Sequence, residues 1–327
     1  MRILIQVPTR IPAYKYGGTN RVAWCLGKEL VKKGHEVVFL APSGSTCDFA
    51  EIVEHDPSRT LQNQIPAGVD MVHLNQEFEH WPGAPFLFTQ HGNFNHFPLP
   101  LNTVFVSRRH AERHGSESYV YNGLDWDEYG AVDLQSHRSF FHFLGNAAWR
   151  IKNVKGAIDV VRHSRQERLE VLGGYRVNFR MGFRLTLSPR VGFHGMVDDV
   201  EKFKFLRQSK GLIFPVRWDE PFGLAVIESL YFVCPVFGTP YGALPELVNP
   251  DVGVLSTSRA ELTAAIEQSS DFSSLRCHEY ARDEFNSALM TERYLDRYEK
   301  ILNGQTLNQS EPAMIGGHTR QFLEWKP

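Results

Sequence analysis

The chain has 327 residues, 42% of them hydrophobic and 22% charged, with a formal net charge of −2 counting His as neutral. That length predicts two domains with sizeable cores. The near-neutral charge gives no reason to expect a dedicated nucleic-acid binder, and no apolar run is long enough for a signal peptide or a bilayer crossing.

In chain order, RILIQV at 2–7 predicts a buried strand. The loop PTRIPAYKYGGTN follows, carrying Gly17 and Gly18. RVAWCLGKELVKKG then predicts a helix, with Val22, Leu26, Leu30 and Val31 at helical spacing and Gly34 as its stop. HEVVFLAP is the next strand, and strand–loop–helix–strand is the βαβ unit of a parallel sheet. VDMVHLN, PFLFTQH and NTVFVSR supply further strands, and ESYVYNGLD at 117–125 the last of this half. The polar stretch DWDEYGAVDLQSHRS at 125–139 predicts an interdomain linker. The pattern then restarts: FFHFLGN is a strand, KNVKGAIDVVRHSR a loop and helix, and RLEVLGG and GLIFPV are strands. FGLAVIESLYF is a helix, and CPVFGTP and GVLS close the series. A last helix, about 289–302, precedes a tail rich in Gly, Gln and Asn that is expected to be loosely ordered. The expected division is therefore 1–137, 138–288 and 289–327, the last part being a helix able to cross back to the N-terminal domain, with its tail. Cys25, Cys47, Cys234 and Cys277 form no CxxC pair or zinc-like cluster, so reduced, structural cysteines and a cytoplasmic chain are expected.

Two βα domains imply an open α/β architecture with a cleft, and ligands in such folds bind beyond the carboxyl ends of the strands. The segment WDEPFGLAVIESLYF places Glu220 and Glu228 eight positions apart. Pro221 suits the first turn of a helix. A helical segment between the two carboxylates would separate them by about 12 Å, roughly the span from a hexose to the ribose of a sugar nucleotide. One carboxylate could accept from sugar hydroxyls and the other from ribose hydroxyls. The Phe222 and Gly223 amides at the helix start would favour a diphosphate. The plainer reading is that Glu220 complements the helix dipole and Glu228 lies on a solvated face.

With GTPYGALPE following the next strand, the chain resembles the retaining glycosyltransferases of the GT-B fold, family 4, which carry an E-x7-E motif. EPFGLAVIE and VFGTPYGALPELV carry the resemblance most densely. Weaker matches fall in the family's order: Gly17–Gly18, QHG around His91, YNGLD at 121–125 with Asn122 to Asp125, FLGN at Phe143 and VKG at Lys155. The resemblance implies two Rossmann-like βαβ domains facing each other across a deep cleft. Residues 1–137 would be the acceptor side and 138–288 the nucleotide-sugar side. It places Glu220 near the donor sugar and Glu228 near the ribose, with Pro221, Phe222, Gly223 and Leu224 at the sugar and diphosphate. Gly17 and Gly18 would let the first loop approach the phosphates or the acceptor, unless they form a simple turn. His91 would contact the transferring sugar, although a lone His is more often structural. The family's Arg after the strand-end glycine is here Asn146, which leaves Arg150, Lys152 and Lys155 as candidate diphosphate cations or as a solvated helix start.

The activity so implied is transfer of a sugar, with retention, from a nucleotide-diphosphate sugar (a UDP- or GDP-sugar first) to a hydroxyl of a glycan, glycolipid or small molecule. No cofactor is expected, and nothing in the chain looks like the Asp-x-Asp metal site of the other large glycosyltransferase fold, so a metal need not bridge the phosphates. Developing charge on the diphosphate would be met by fixed cations. Two other enzymes on this architecture, a sugar-nucleotide epimerase and a phosphorylase, and an inactive sugar-nucleotide-binding protein are the competing readings. An oxidoreductase lacks its G-x-G-x-x-G after the first strand. SRRHAERHG at 107–115 could give weak peripheral contact with anionic lipid at the inner membrane face, or be a solvated helix.

Overall fold

The computed structural model describes residues 1–14, 17–316 and 322–327. The chain divides into two units, Met1–Trp126 with Phe285–His318 and Asp127–Glu284 with Thr319–Pro327. Lys15 and Tyr16 of the first glycine loop, and residues 317–321 of the tail, lie outside the described residues.

The first unit begins β1 (Arg2–Gln6), α1 (Gly18–Lys32), β2 (Glu36–Ala41), β3 (Glu51–Glu54), β4 (Met71–Leu74), β5 (Phe86–Gln90), β6 (Thr103–Phe105) and α2 (Arg108–Glu112). Its six strands are all parallel, in the order β3-β2-β1-β4-β5-β6. Ile3, Leu4 and Ile5 are fully buried, as expected of a strand covered on both faces. The strand expected at 117–125 does not form. Tyr119 bridges to Phe105 and Leu124 to Asn286, so this stretch divides its main-chain bonds between two partners and builds no ladder.

The second unit runs β7 (Phe140–Leu144), α3 (Val154–His163), β8 (Leu169–Leu172), β9 (Val177–Asn178), β10 (Arg184–Leu185), β11 (Val191–Phe193), α4 (Asp199–Gln208), β12 (Ser209–Phe214), α5 (Leu224–Tyr231), β13 (Val236–Gly238), α6 (Leu244–Leu247), β14 (Gly253–Leu255), α7 (Arg259–Glu267) and α8 (Ser274–Glu284). Its main sheet, again six parallel strands, has the order β11-β8-β7-β12-β13-β14. In each unit the order is that of a doubly wound sheet, with the reversal between β1 and β4 and between β7 and β12. Phe141, Phe143, Val171, Ile213 and Phe237 meet Val160, Leu262 and Ile266 in the second unit's core. β9 and β10 form a separate antiparallel ribbon.

The chain then gives α9 (Ser287–Leu302), which packs on α1 and β5 of the first unit. Its Tyr298 and Tyr294 hydroxyls reach His73 at 2.6 Å and Thr89 at 3.1 Å. The tail is less loose than its composition suggests. Asn308 donates to the Leu101 and Thr103 carbonyls, while Leu323 and Lys326 donate to Arg217 and Thr257.

Candidate functional site

In the second unit the reversal point carries the loops that follow β7 and β12, and most of the expected donor residues lie on them. After β7 the chain turns at Gly145, Asn146 and Ala147. The Gly145 and Ala147 amides donate to Leu172 and Gly173, the end of β8. Gly173 has φ 128°, and a Cβ there would meet the Gly145 carbonyl oxygen at 2.0 Å, so glycine is required for the two loops to touch. Asn146, standing where the resemblance expects Arg, accepts from the Ala148 amide at 3.0 Å and shapes the turn. Asn153 caps α3 through Gly156 and donates to the Pro215 carbonyl at 2.9 Å, and Arg217 donates to Ile151. The two loops are thus stitched together.

This stitching brings Lys152 to Glu220. The ammonium lies 2.6 Å from Oε2, with both side chains buried, and the Trp218 indole donates to the same oxygen at 2.7 Å. Lys152 also sits over the Trp218 and Phe214 rings, at 5.0 and 5.3 Å. The main chain of Glu220 is fixed from the other side. Ala243 donates to its carbonyl at 2.9 Å, and Gly242 (φ 61°) lies so close that a Cβ would fall 2.2 Å from the Glu220 nitrogen. The loop after β13 therefore serves to press Glu220 into place.

Glu220 is not helical, which corrects the 12 Å estimate. Glu220, Pro221 and Phe222 precede α5, and Gly223, with φ 106°, is its N-cap. Pro221 therefore takes no position in the first turn. Pro221, Phe222 and Gly223 are buried and Leu224 half-buried at the head of α5. In the first turn the Val226 amide donates to the Gly223 carbonyl at 2.9 Å, while the Leu224 and Ala225 amides ahead of it have no intrahelical acceptor by geometry.

Glu228, on α5, is buried rather than on a solvated face. Its Oε1 takes the Lys202 ammonium at 2.5 Å and the Tyr129 hydroxyl at 2.7 Å. Lys202 is held in turn by Asp199 at 2.9 Å. The two acids are built alike. One oxygen of each takes a buried lysine and an aromatic donor, while among the described residues the other oxygen accepts no hydrogen bond. A carboxylate held this way is orientated and still able to accept from a ligand hydroxyl. Sequence reasoning missed Lys202, Tyr129 and Trp218. Tyr129 falls in the stretch read as linker, and nothing in the spacing of Lys202 ties it to Glu228.

The other two candidate cations are exposed. Lys155 stands in the first turn of α3, and Arg150 lies 5.0 Å over the Phe322 ring. Among the described residues no group of three or more His, Cys, Asp or Glu is placed to hold a metal ion. None of the four cysteines forms a disulfide.

Gly17, His91 and their neighbours belong to the first unit. Gly17 caps α1 and accepts from the Arg21 amide at 3.0 Å, and Gly18 is the helix's first residue. Asn20 holds this loop through Thr9 and the Arg10 carbonyl. His91 follows β5, with its Nε2 2.8 Å from Asn75 Oδ1, and Asn75 in turn donates to the Gln6 carbonyl at 2.8 Å. These three residues end or follow β1, β4 and β5, on the carboxyl side of the sheet. Burial pushes the His91 pKa down to about 4, so its imidazole is neutral at physiological pH.

Residues 138–271 match the family described as Glycosyl transferases group 1. No curated protein matches the chain. Among solved structures, AviGT4, a glycosyltransferase involved in avilamycin A biosynthesis, is 20% identical with a TM-score of 0.75, over 93% of this chain and 99% of that one. Sucrose-phosphate synthase from Thermosynechococcus elongatus is 15% identical with a TM-score of 0.71, over 93% and 100%. Anabaena HepE in complex with UDP-glucose is 15% identical with a TM-score of 0.65, over 92% and 100%. These likenesses establish the fold as that of GT-B glycosyltransferases, two α/β units each with six parallel strands.

Proposed function

We propose that the protein is a glycosyltransferase that moves a sugar, with retention, from a UDP- or GDP-sugar to a hydroxyl of a glycan, glycolipid or small molecule in glycoconjugate biosynthesis. The observation that carries this reading is the matched pair Glu220 and Glu228, each held through one oxygen with the other left for a ligand. The family match over 138–271 and the shared fold support it. Glu220 would take the donor sugar's hydroxyls and Glu228 those of the ribose. Breaking the anomeric C–O bond leaves negative charge on the diphosphate, and a fixed cation there lowers the barrier. Lys152, buried beside Glu220, fits that task better than exposed Lys155 or Arg150, which would act at the rim. The amides of Phe222, Gly223 and Leu224 and the loop of Gly17 and Gly18 complete the expected ligand contacts, and His91 that with the transferring sugar. In this reading the reaction is cytoplasmic and the leaving diphosphate helps take the acceptor proton.

The test is a thermal-shift screen against UDP-, GDP-, ADP- and TDP-sugars, followed by donor hydrolysis and transfer assays. One nucleotide sugar should stabilise the protein, and Glu228→Ala should weaken that binding roughly 10- to 100-fold, the worth of a charged hydrogen-bond acceptor. Unchanged affinity in Glu228→Ala would overturn the assignment. Binding with neither hydrolysis nor transfer would favour the sugar-nucleotide-binding alternative.

Weak peripheral membrane contact belongs to the same proposal, but residues 107–115 offer little for it. His110 and His114 are buried, and Arg108 and Arg109 reach Glu112 at 4.0 and 3.5 Å. Among the described residues no helix is long and apolar enough to cross a membrane.

A further inference from the structure

The ribbon of β9 and β10 is built inside out. Arg184 pairs with Asn178 and Leu185 with Val177 across it, and the Phe179 and Phe183 rings stand 5.6 Å apart nearer the tip. Extending that register puts Tyr175, Val177, Phe179, Phe183, Leu185 and Leu187 on one face, with Met181 at the turn. All seven are exposed, from 43% for Val177 to 80% for Leu187. Side chains of this size present on the order of 600 Å² of apolar surface, the upper end of what a soluble monomer shows.

The opposite face carries Arg176 and Arg184, which lie over the Phe193 ring at 5.9 and 4.9 Å. Arg176 donates to the Thr186 and Ser188 carbonyls, and Arg184 to the Tyr175 carbonyl and the Thr186 hydroxyl. Both arginines therefore close the ribbon on itself through these hydrogen bonds and meet β11 of the main sheet through Phe193, although Arg176 stays exposed. A one-residue slip in register would exchange the faces, and the hydrogen bonds of both arginines hold against it. Met181, Phe183, Leu185 and Leu187 of the apolar face, with Arg184, also wall a trough of about 1090 Å³ against α3, which they share with Lys155, Arg162 and Arg217. Asp159 is the single acid among its described lining residues.

We propose that this ribbon is a docking surface for an anionic lipid bilayer. Its aromatic and aliphatic face enters the headgroup–acyl boundary, and Arg162 on α3 and Arg180 at the tip meet the headgroup phosphates. Charge complementarity selects this occupant: apolar side chains flanked by a net excess of cations, with Asp159 reaching Arg162 at 3.9 Å, match an anionic interface. The surface is distinct from residues 107–115 and does not depend on the transferase reading.

The full-length chain should co-sediment with vesicles containing phosphatidylglycerol and bind pure phosphatidylcholine vesicles less, the difference shrinking at high salt. The triple variant Phe179→Ser, Phe183→Ser, Leu187→Ser should lose at least about tenfold in partitioning. Its circular dichroism and melting temperature should stay those of the wild type, since the three side chains are exposed. Arg162→Gln with Arg180→Gln should weaken binding to the anionic vesicles only. Wild-type partitioning by the triple variant, or a loss caused instead by Arg108→Gln with Arg109→Gln, would overturn the proposal. So would a wild-type dimer that becomes a monomer in the triple variant without any change in vesicle binding, which would assign the ribbon to a second copy of the chain.

Discussion

At the scale of residues, the candidate site depends on two buried lysines, each holding one glutamate. Lys202 is the more instructive, because it reaches Glu228 from α4 and is itself held by Asp199. Removing one member of a buried ion pair leaves a charge without compensation, which is more costly than removing both. Lys202→Met is therefore expected to lower stability by on the order of 3 kcal/mol in denaturant titration. Adding Glu228→Gln to it should restore a substantial part of that loss. An additive double variant would mean that the pair is not coupled. Tyr129 would remain as the hydrogen-bond donor in either case.

At the scale of elements, each sheet buries a histidine on a strand beside its point of reversal. His73 on β4 lies between Tyr298 and Thr89, and His142 on β7 between Ser209 and Ser229. Burial pushes both pKa values down to about 3, so the folded chain holds them neutral. The unfolded chain protonates them near the ordinary value. Their contribution is thus fully present above about pH 6.5 and is lost progressively as pH falls towards the folded values. Between about pH 6.5 and 5 the loss is roughly 2 kcal/mol for each, and the urea midpoint should fall accordingly. A midpoint that stays flat across this window would contradict the neutral assignment. These histidines also mark the limit of what the sequence made legible. The apolar runs that became β1, β2, β4, β5, β7 and β12 could be read directly, since strands buried on both faces leave few polar residues. The run 117–125 looked the same yet made only isolated bridges, because neighbours distant in sequence decide pairing. Glu220 and Glu228 stood out by their local motif. Lys202, Tyr129 and the Gly242 contact could not be found that way, as each meets its partner only through the fold.

At the scale of the whole chain, the two units are not consecutive segments. The first is completed by α9, whose Tyr294 and Tyr298 are buried beside His73 and Thr89. A chain ending at Glu284 should therefore keep a protease-resistant core from the second unit while residues 1–126 are digested. Equal resistance of both parts in limited proteolysis would show that α9 is dispensable.

The late position of that closing helix also bears on how the protein is born. Strands β1 to β6 leave the ribosome first, yet they must wait while all of residues 127–284 are translated, on the order of ten seconds at ordinary elongation rates. The nascent N-terminal unit spends that interval with its sheet and α1 bare where α9 will pack, so it is the unit that a chaperone would be called on to shelter.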